Sequence, residues 1–350
     1  MRAVWFDAFG APPQMREVPE PRCPDTGVII AVAATGLCRS DWHGWLGHDP
    51  DIPLPHVPGH EFAGTVVEAG PGVTRALVGK RVTVPFVCAC GSCAACLEDE
   101  QQVCLRQTQP GFTGWGSFAD LVAIDHADLN VVELPADLGF DTAASLGCRF
   151  ATAYRAVTVH GRPAAGDCVV VHGCGGVGLS TVMIASAAGA RVIAVDVSPD
   201  ALRLAAECGA EDLVDATAIG DVARRVRELT DGGAQVSFDA LGSAVTATNS
   251  IRCLRPRGRH VQVGLLAGDD AEKALPLGRV LAAELQFFGS HGMPAHAYPP
   301  MLTEIAAGRL QPQRLITRHI TLADTPDALA AMGDSPASGI TIIRPSEVGA

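Results

Sequence analysis

The stretch Cys38-Arg39-Ser40-Asp41-Trp42-His43 puts a thiol, a guanidinium, a hydroxyl, a carboxylate and an imidazole within six residues. Together they suit chemistry on a metal-held hydroxyl group: a soft ligand, an anion clamp and a two-member route for a departing proton. Two more ligands would complete a catalytic zinc. His60, in Val57-Pro58-Gly59-His60-Glu61, follows a Pro-Gly turn and leads into a strand, and Cys148, in Ser145-Leu146-Gly147-Cys148-Arg149-Phe150, lies where the sequence changes rhythm. Three protein ligands with an open fourth position are what a catalytic zinc requires. Plainer readings stand beside each. His60 is one of 11 histidines, with His56 as a rival. Cys148 alone reads as a small buried hydrophobe. Ser40 could be a loop cap and His43 a solvated side chain.

A second cluster, Cys90-x2-Cys93-x2-Cys96-x7-Cys104, has the spacing of a closed, tetrahedral zinc site with no position left for chemistry. Its loop carries Glu98, Asp99 and Glu100 and has little apolar content, so metal would supply its order. Two disulfides fit a secreted chain better than this one, and a ferredoxin-type run would continue with three residues, Cys and Pro.

The third motif is Gly173-Cys174-Gly175-Gly176-Val177-Gly178, which satisfies G-x-G-x-x-G between a strand and a helix, the context that gives it meaning. The first glycine makes the tight turn, the second lets a pyrophosphate approach the backbone, and the third lets helix and strand pack. The phosphates then meet free N–H groups at the helix N-terminus. Asp196 ends the next strand, placed to accept from the adenosine ribose hydroxyls. A 2′-phosphate there would meet like charge, at a penalty of roughly 1–3 kcal/mol, which favours NAD over NADP.

The elements needed to position these groups fall into two patterns. Up to about residue 150 the chain reads as a β-rich, irregular barrel, with strands expected over 28–32, 62–67 and 81–84, punctuated by Gly and Pro. Beyond it, strands at 168–171, 191–195, 212–214, 236–238, 260–263 and 285–288 alternate with helices. Gly189 and Gly209 end the first two helices, and Ser198-Pro199 opens the second. That alternation implies a parallel, doubly wound α/β sheet. The tail after about 290, with Gly339-Ile340-Thr341-Ile342-Ile343, has strand character outside that rhythm.

With 350 residues, two domains are expected, and 48% hydrophobic residues supply two cores. A net charge of -12, with only two lysines (Lys80 and Lys273), argues against a nucleic-acid partner. No apolar run reaches about 18 residues, so no membrane span is expected, and the N-terminus lacks a signal-peptide core. The expected compartment is the cytoplasm, and the 12 cysteines are read as thiols or metal ligands.

Taken together, Cys38–His43, Gly59-His60-Glu61, the four-cysteine lobe, Cys148 and the glycine turn occur in the order found in zinc-dependent alcohol dehydrogenases of the medium-chain dehydrogenase/reductase superfamily, which the whole chain resembles. The resemblance implies a GroES-like catalytic domain with two zincs over residues 1–153, a Rossmann NAD-binding domain over 154–289, and a segment 290–350 returning to the catalytic domain. It implies Cys38, His60 and Cys148 as ligands of the catalytic zinc, Glu61 behind or transiently on it, and Asp41 orienting His60. Arg39 would hold the coenzyme pyrophosphate, Thr152 would contact the nicotinamide, and Phe86 would line the substrate pocket. Apart from the resemblance, Trp42, Trp45 and Trp115 lie in the catalytic half and could line the same cleft, although each aromatic reads more readily as plain core. A proton would leave through Ser40, the nicotinamide ribose and His43. Two departures stand out: Ala201 replaces a lysine common near the adenosine, and Asp99 replaces a glycine of the cysteine lobe. The implied reaction is reversible oxidation of a small alcohol to an aldehyde or ketone with NAD, in a homodimer or homotetramer. The alternatives are a polyol or amino-alcohol dehydrogenase and a non-catalytic zinc and dinucleotide-binding protein.

Overall fold

A computed structural model describes residues 1–266, 273, 275–333 and 338–346. The chain forms two compact units: residues 1–151, 292–306 and 316–350 in the first, 152–291 and 307–315 in the second. The first boundary falls two residues before the expected one. The segment 307–315 belongs with the second unit, not with the returning tail.

The first unit opens with a hairpin, β1 (Arg2–Trp5) and β2 (Gln14–Glu17), and is organised by β3 (Val28–Leu37). This strand runs five residues beyond its expected end. It pairs antiparallel with β4 (Phe62–Ala69), and its last residues pair with the C-terminal strand Ile340–Arg344 in the register Thr341↔Leu37, Ile342↔Gly36, Ile343↔Thr35. Ala34, Thr35 and Gly36 carry weak strand propensity; a partner about 300 residues away in sequence makes them extended. β5 (Arg81–Thr83), β6 (Leu121–Ile124) and β7 (Val132–Glu133) complete the sheet with Ile316–Thr321, and Val28, Ile30, Phe62, Val66, Val82 and Val122 pack within its core. Leaving β3, the chain enters helix α1 (Arg39–Trp45), which buries Asp41, Gly44 and Trp45 on one face.

The second unit holds six parallel strands, β8 (Cys168–His172), β9 (Arg191–Asp196), β10 (Asp212–Asp215), β11 (Ala234–Asp239), β12 (Leu254–Gln262) and β13 (Gln286–Gly289), in the order β10-β9-β8-β11-β12-β13. That is the doubly wound dinucleotide-binding order, which reverses beside β8. Helix α2 (Gly176–Ala187) follows β8. Helix α3 (Pro199–Glu207) starts where Ser198 Oγ accepts from Ala201 N at 3.3 Å. No helix among the described residues is long and apolar enough to cross a membrane.

A polar chain runs through this otherwise apolar sheet. Ser237 and Ser250 hydroxyls meet at 2.7 Å, Ser250 Oγ lies 2.8 Å from His260 Nδ1, and His172 is buried nearby against Cys253. Burial, reinforced by the neighbouring His260, lowers His172 to about 3, and burial lowers His260 to about 4. Above pH 6.5 the rings are neutral in both folded and unfolded chain. Below it the unfolded chain takes up protons that the folded one refuses, so stability falls with pH until the folded values are reached. Each ring should contribute about 1.4 kcal/mol per pH unit in that window. The His172→Leu variant should therefore lose stability less steeply than the parent in urea titrations run from pH 6 down to pH 4. An identical slope would show that His172 does not stay neutral in the folded protein.

Candidate active site

Three separate pieces of the first unit converge on one buried cluster. Cys38 is the N-cap of α1, His60 and Glu61 directly precede β4, and Cys148 rides on a single wide π turn, Leu146–Phe150. Such turns recur at functional sites because the extra residue re-aims a side chain. The Tyr298 hydroxyl, fully buried, donates to the carbonyl of Leu146 at 3.2 Å and pins the turn. One ligand atom from each of Cys38, His60, Glu61 and Cys148 lies within 4.8 Å of every other.

Asp41 ties the first two pieces together. Its Oδ2 accepts from the Cys38 N–H at 2.9 Å, while Oδ1 accepts from the Gly59 N–H at 3.1 Å and from His60 Nδ1 at 2.8 Å. Because Nδ1 carries the proton given to Asp41, His60 Nε2 is the lone-pair atom, and it is buried without any hydrogen-bond partner. An orphaned imidazole nitrogen beside two thiol sulfurs is what a zinc ion would satisfy, so these donors fit the metal. The rival His56 pairs through Nε2 with Gly111 O at 2.9 Å, and although its Nδ1 is also buried without a partner, His56 joins neither ligand cluster found among the described residues. A hydrogen bond between the two thiols holds Cys38 well below the ordinary thiol range and Cys148 well above it, with the Arg149 guanidinium adding positive charge around Cys38.

Glu61 is held in a different way. Both of its oxygens lie 2.9 Å from Arg149 Nε, Oε1 also accepts from the Arg149 backbone N–H at 2.9 Å, and Nη2 closes on Oε2. Burial raises the carboxyl above its ordinary value and Arg149 draws it back. Gly36 makes room for the pair, since a Cβ there would stand 2.4 Å from Glu61 Oε2. The residue patterns singled out Glu61 but passed over Arg149; an arginine next to a ligand cysteine, in a chain whose arginines are otherwise scattered, was the available signal.

Of the relay residues, Ser40 Oγ stands 3.9 Å from Cys38 Sγ. His43 is half-buried, with Nδ1 2.9 Å from Nδ1 of His48. Arg39 lies over the Trp42 ring at 4.2 Å and donates to Met332 O at 2.7 Å. Phe86 presents its ring edge to His60 at 6.3 Å, and Phe112, which sequence reasoning missed, lies closer at 5.0 Å. The tryptophans divide. Trp42 stays beside His43, Trp45 packs in the apolar core with Nε1 bonded to Ala11 O, and Trp115 stacks edge-on against Trp5 in a satellite cluster. Trp45 is therefore core, while Trp115 is half-buried and lines a pocket with Met1, Pro21 and Thr108 to which none of the cluster residues contributes.

The cysteine lobe forms as its spacing predicts. Cys93 Sγ lies 3.4 Å from Cys96 Sγ and 3.7 Å from Cys104 Sγ, and all four sulfurs fall within 4.8 Å of one another with no disulfide. Tetrahedral thiolates around zinc sit about 3.8 Å apart, so the cage suits one ion and is too tight for an iron–sulfur cluster. The Ser92 N–H and the guanidinium of Arg106 draw Cys90 down to about 5. Asp99 adopts φ +62, the left-handed conformation that a glycine would take without strain. The lobe keeps its turn without the glycine.

In the second unit, Gly173 turns at φ +87, a Cβ on Gly178 would stand 1.8 Å from Gly173 O, and one on Gly175 would meet nothing within 4 Å. Gly176 and Val177 open α2. The open face at Gly175 is the cradle a pyrophosphate needs. Asp196 Oδ2 accepts from Cys174 N at 2.5 Å and Oδ1 from Val197 N and Ser198 N, so the carboxylate braces the glycine turn and keeps one lone pair on Oδ2. Ala201 caps into α3 through its N–H to Ser198. Thr152 Oγ1 is buried without a partner in this unit.

Comparison with known proteins bears directly on this arrangement. Residues 24–136 match the alcohol dehydrogenase GroES-like domain, and residues 176–307 match the zinc-binding dehydrogenase family. The chain is 36% identical over 269 residues to an alcohol dehydrogenase of Geobacillus stearothermophilus, spanning 76% of this chain and 78% of that one. It is 32% identical over 322 residues to a sorbitol dehydrogenase of Halalkalibacterium halodurans, spanning 91% and 92% respectively. Among solved structures it is similar to the alcohol dehydrogenase of Thermus sp. ATN1, with a TM-score of 0.88 and 31% identity over 98% of this chain and 99% of that one.

The buried ion pair generates a stability test. Arg149→Met leaves the Glu61 carboxylate inside the protein without a counter-charge, which should lower unfolding free energy by about 3–5 kcal/mol. Adding Glu61→Gln should recover much of that loss in the same denaturant titration. A single-variant cost below about 1 kcal/mol, within the range of an exposed pair, would show that the pair is solvated.

Proposed function

We infer the function from a premise the comparisons supply: this chain belongs to the zinc-dependent alcohol dehydrogenases of the medium-chain dehydrogenase/reductase superfamily. It is a zinc-binding dehydrogenase that uses a nicotinamide coenzyme and reversibly oxidises an alcohol to an aldehyde or ketone. The observation that carries this reading is the cluster of Cys38, His60 and Cys148, in which His60 Nε2 is buried and unpartnered while Glu61 is engaged by Arg149. Cys38, His60 and Cys148 are the ligands of one zinc, and Cys90, Cys93, Cys96 and Cys104 hold a second, giving two ions per subunit. When bound at the first position, zinc lowers the pKa of a coordinated hydroxyl by roughly nine units, by analogy with water, or roughly 12 kcal/mol.

The chain's own residues do the rest. Asp41 fixes the His60 ring with Nε2 as acceptor, and Arg149 holds Glu61 as a neutral pair. Ser40 would accept the hydroxyl proton beside Cys38, and His43 would take it up at the outer end of the route, with a bound coenzyme ribose able to bridge them. Phe86 and Phe112 pack near the His60 ring and favour an apolar alcohol over a sugar. Gly173, Gly175, Gly176, Val177 and Gly178 would cradle the coenzyme pyrophosphate, and Thr152 and Arg39 keep the coenzyme-binding roles that the resemblance implies for them. The remaining lone pair of Asp196 receives the adenosine ribose, which favours NAD over NADP.

The likeness to a sorbitol dehydrogenase keeps a polyol reading in play. Polyol dehydrogenases that resemble this chain use an acidic third ligand, so the thiol of Cys148, with the rings of Phe86 and Phe112 near His60, weighs against it. We further propose a homodimer or homotetramer in the cytoplasm. Among the described residues β13 is an edge of its sheet, with Phe287 exposed on it and Leu277 and Leu281 exposed on the preceding helix, an apolar edge of the kind oligomers cover.

A coenzyme-coupled absorbance screen over primary, secondary and aromatic alcohols and polyols, with NAD and NADP in parallel, tests the reading. Apolar alcohols should turn over, with kcat/KM for NAD exceeding that for NADP by about ten-fold or more. The Cys38→Ala variant should lose turnover together with one zinc. Turnover confined to polyols would favour the second reading, and none with any substrate would leave only a binding role.

A further inference from the structure

The imidazole of His43 does not end in solvent. α1 closes at Trp45, Gly47 turns the chain at φ +80, and the His48 N–H donates back to the carbonyl of His43 at 3.0 Å. That return lays the His48 ring against His43 with Nδ1 to Nδ1 at 2.9 Å, ring centroids 5.2 Å apart and planes tilted by 42°. The rings meet edge to edge through nitrogen. Trp42 stands edge-on to both, at 5.0 and 6.1 Å, and keeps the pair from separating sideways. His43 is half-buried and His48 exposed, so the pair runs from the interior to water.

Two Nδ1 atoms at hydrogen-bond distance impose a count. One must carry a proton and the other must not, so the pair holds a single proton between the rings and cannot exist as two imidazolium ions with both Nδ1 atoms protonated. The charged groups that bear on His43 are His48, then Arg39 one turn earlier and Cys38 at the N-cap. The helix packed against α1 contributes Asp327, which is not among them.

We propose that His48 is the outer member of a two-imidazole proton exit, accepting from His43 the proton that alcohol oxidation releases and passing it to water. The proposal rests on the dehydrogenase reading above. In the resting pair His43 carries its proton on Nδ1 and His48 on Nε2. A proton arriving at His43 forms an Nε2–H bond, and the Nδ1–H bond of His43 breaks. That proton bonds to Nδ1 of His48, and the Nε2–H bond of His48 breaks to a solvent water. One proton enters, one leaves, and neither ring retains a charge. Exchange with water then restores the starting tautomers, and aldehyde reduction runs the sequence backwards.

The His48→Gln variant separates a proton path from a structural contact, because the glutamine carbonyl can still accept from His43 Nδ1 but cannot hand a proton on. Oxidation kcat should fall by about ten-fold near neutral pH, a modest share of what general acid–base groups supply. KM for the coenzyme should be unchanged, the solvent deuterium isotope effect should increase, and added imidazole should restore the rate. A second measurement needs no turnover: nitrogen-15 NMR of histidine-labelled, zinc-loaded protein, assigned through His43→Gln and His48→Gln. One ring should show a protonated Nδ1 facing a bare Nδ1, and the pair should take up one proton as a unit. Independent titration of the two rings, or a His48→Gln enzyme with unaltered rate, isotope effect and imidazole response, would overturn the proposal. A wild-type enzyme that oxidises no alcohol while its rings still titrate as a pair would instead remove the dehydrogenase reading, and the exit with it.

Discussion

One buried carboxylate sets the geometry of the metal cluster. Asp41 spends three acceptor positions on the Cys38 N–H, the Gly59 N–H and His60 Nδ1. Those bonds join the start of α1 to the loop before β4 and choose the His60 tautomer in one stroke. A carboxylate at this depth persists because three hydrogen bonds from the protein stand in for those it lost to water. Were the tautomer reversed, Nε2 would carry the proton and no metal could take its lone pair. The thiol of Cys38, the imidazole of His60 and the hydroxyl of Ser40 all depend on this one anchor.

Charge balance at the cluster follows from the neighbours. Two thiolates suffice to neutralise a divalent ion. A free Glu61 carboxylate would add further negative charge and weaken the ion's pull on a hydroxyl. Arg149 answers that charge with a two-pronged pair, and Gly36 gives the pair its space. The apolar rings of Phe86 and Phe112 packed against His60 keep the surroundings poor in competing donors. The arrangement separates roles: sulfur and imidazole hold the ion, while glutamate and arginine cancel each other behind it.

What could be read from residues alone was whatever depends on local backbone. The four-cysteine spacing, the glycine turn between a strand and a helix, and the Ser198-Pro199 helix start each act within a few residues, and each forms where expected. Features created by distant partners were not legible. The extension of β3 through Gly36 and Leu37 needs the C-terminal strand, the π turn at Cys148 needs Tyr298, and the ion pair joins residues 61 and 149. Trp45 could have lined the cleft from its place in the chain, yet it packs in the apolar core with Nε1 donating to Ala11 O. Asp99 taught the opposite lesson: the missing glycine suggested a changed loop, and the backbone kept its left-handed turn with aspartate in place.

X-ray absorption at the zinc edge of active, fully purified protein tests the central claim most directly. The account predicts two zincs per subunit whose combined shells contain six sulfurs and one imidazole nitrogen from Cys90, Cys93, Cys96, Cys104, Cys38, Cys148 and His60. The shells should also contain one light atom from solvent. A single zinc per subunit with a pure four-sulfur shell in protein that still oxidises alcohol would contradict it.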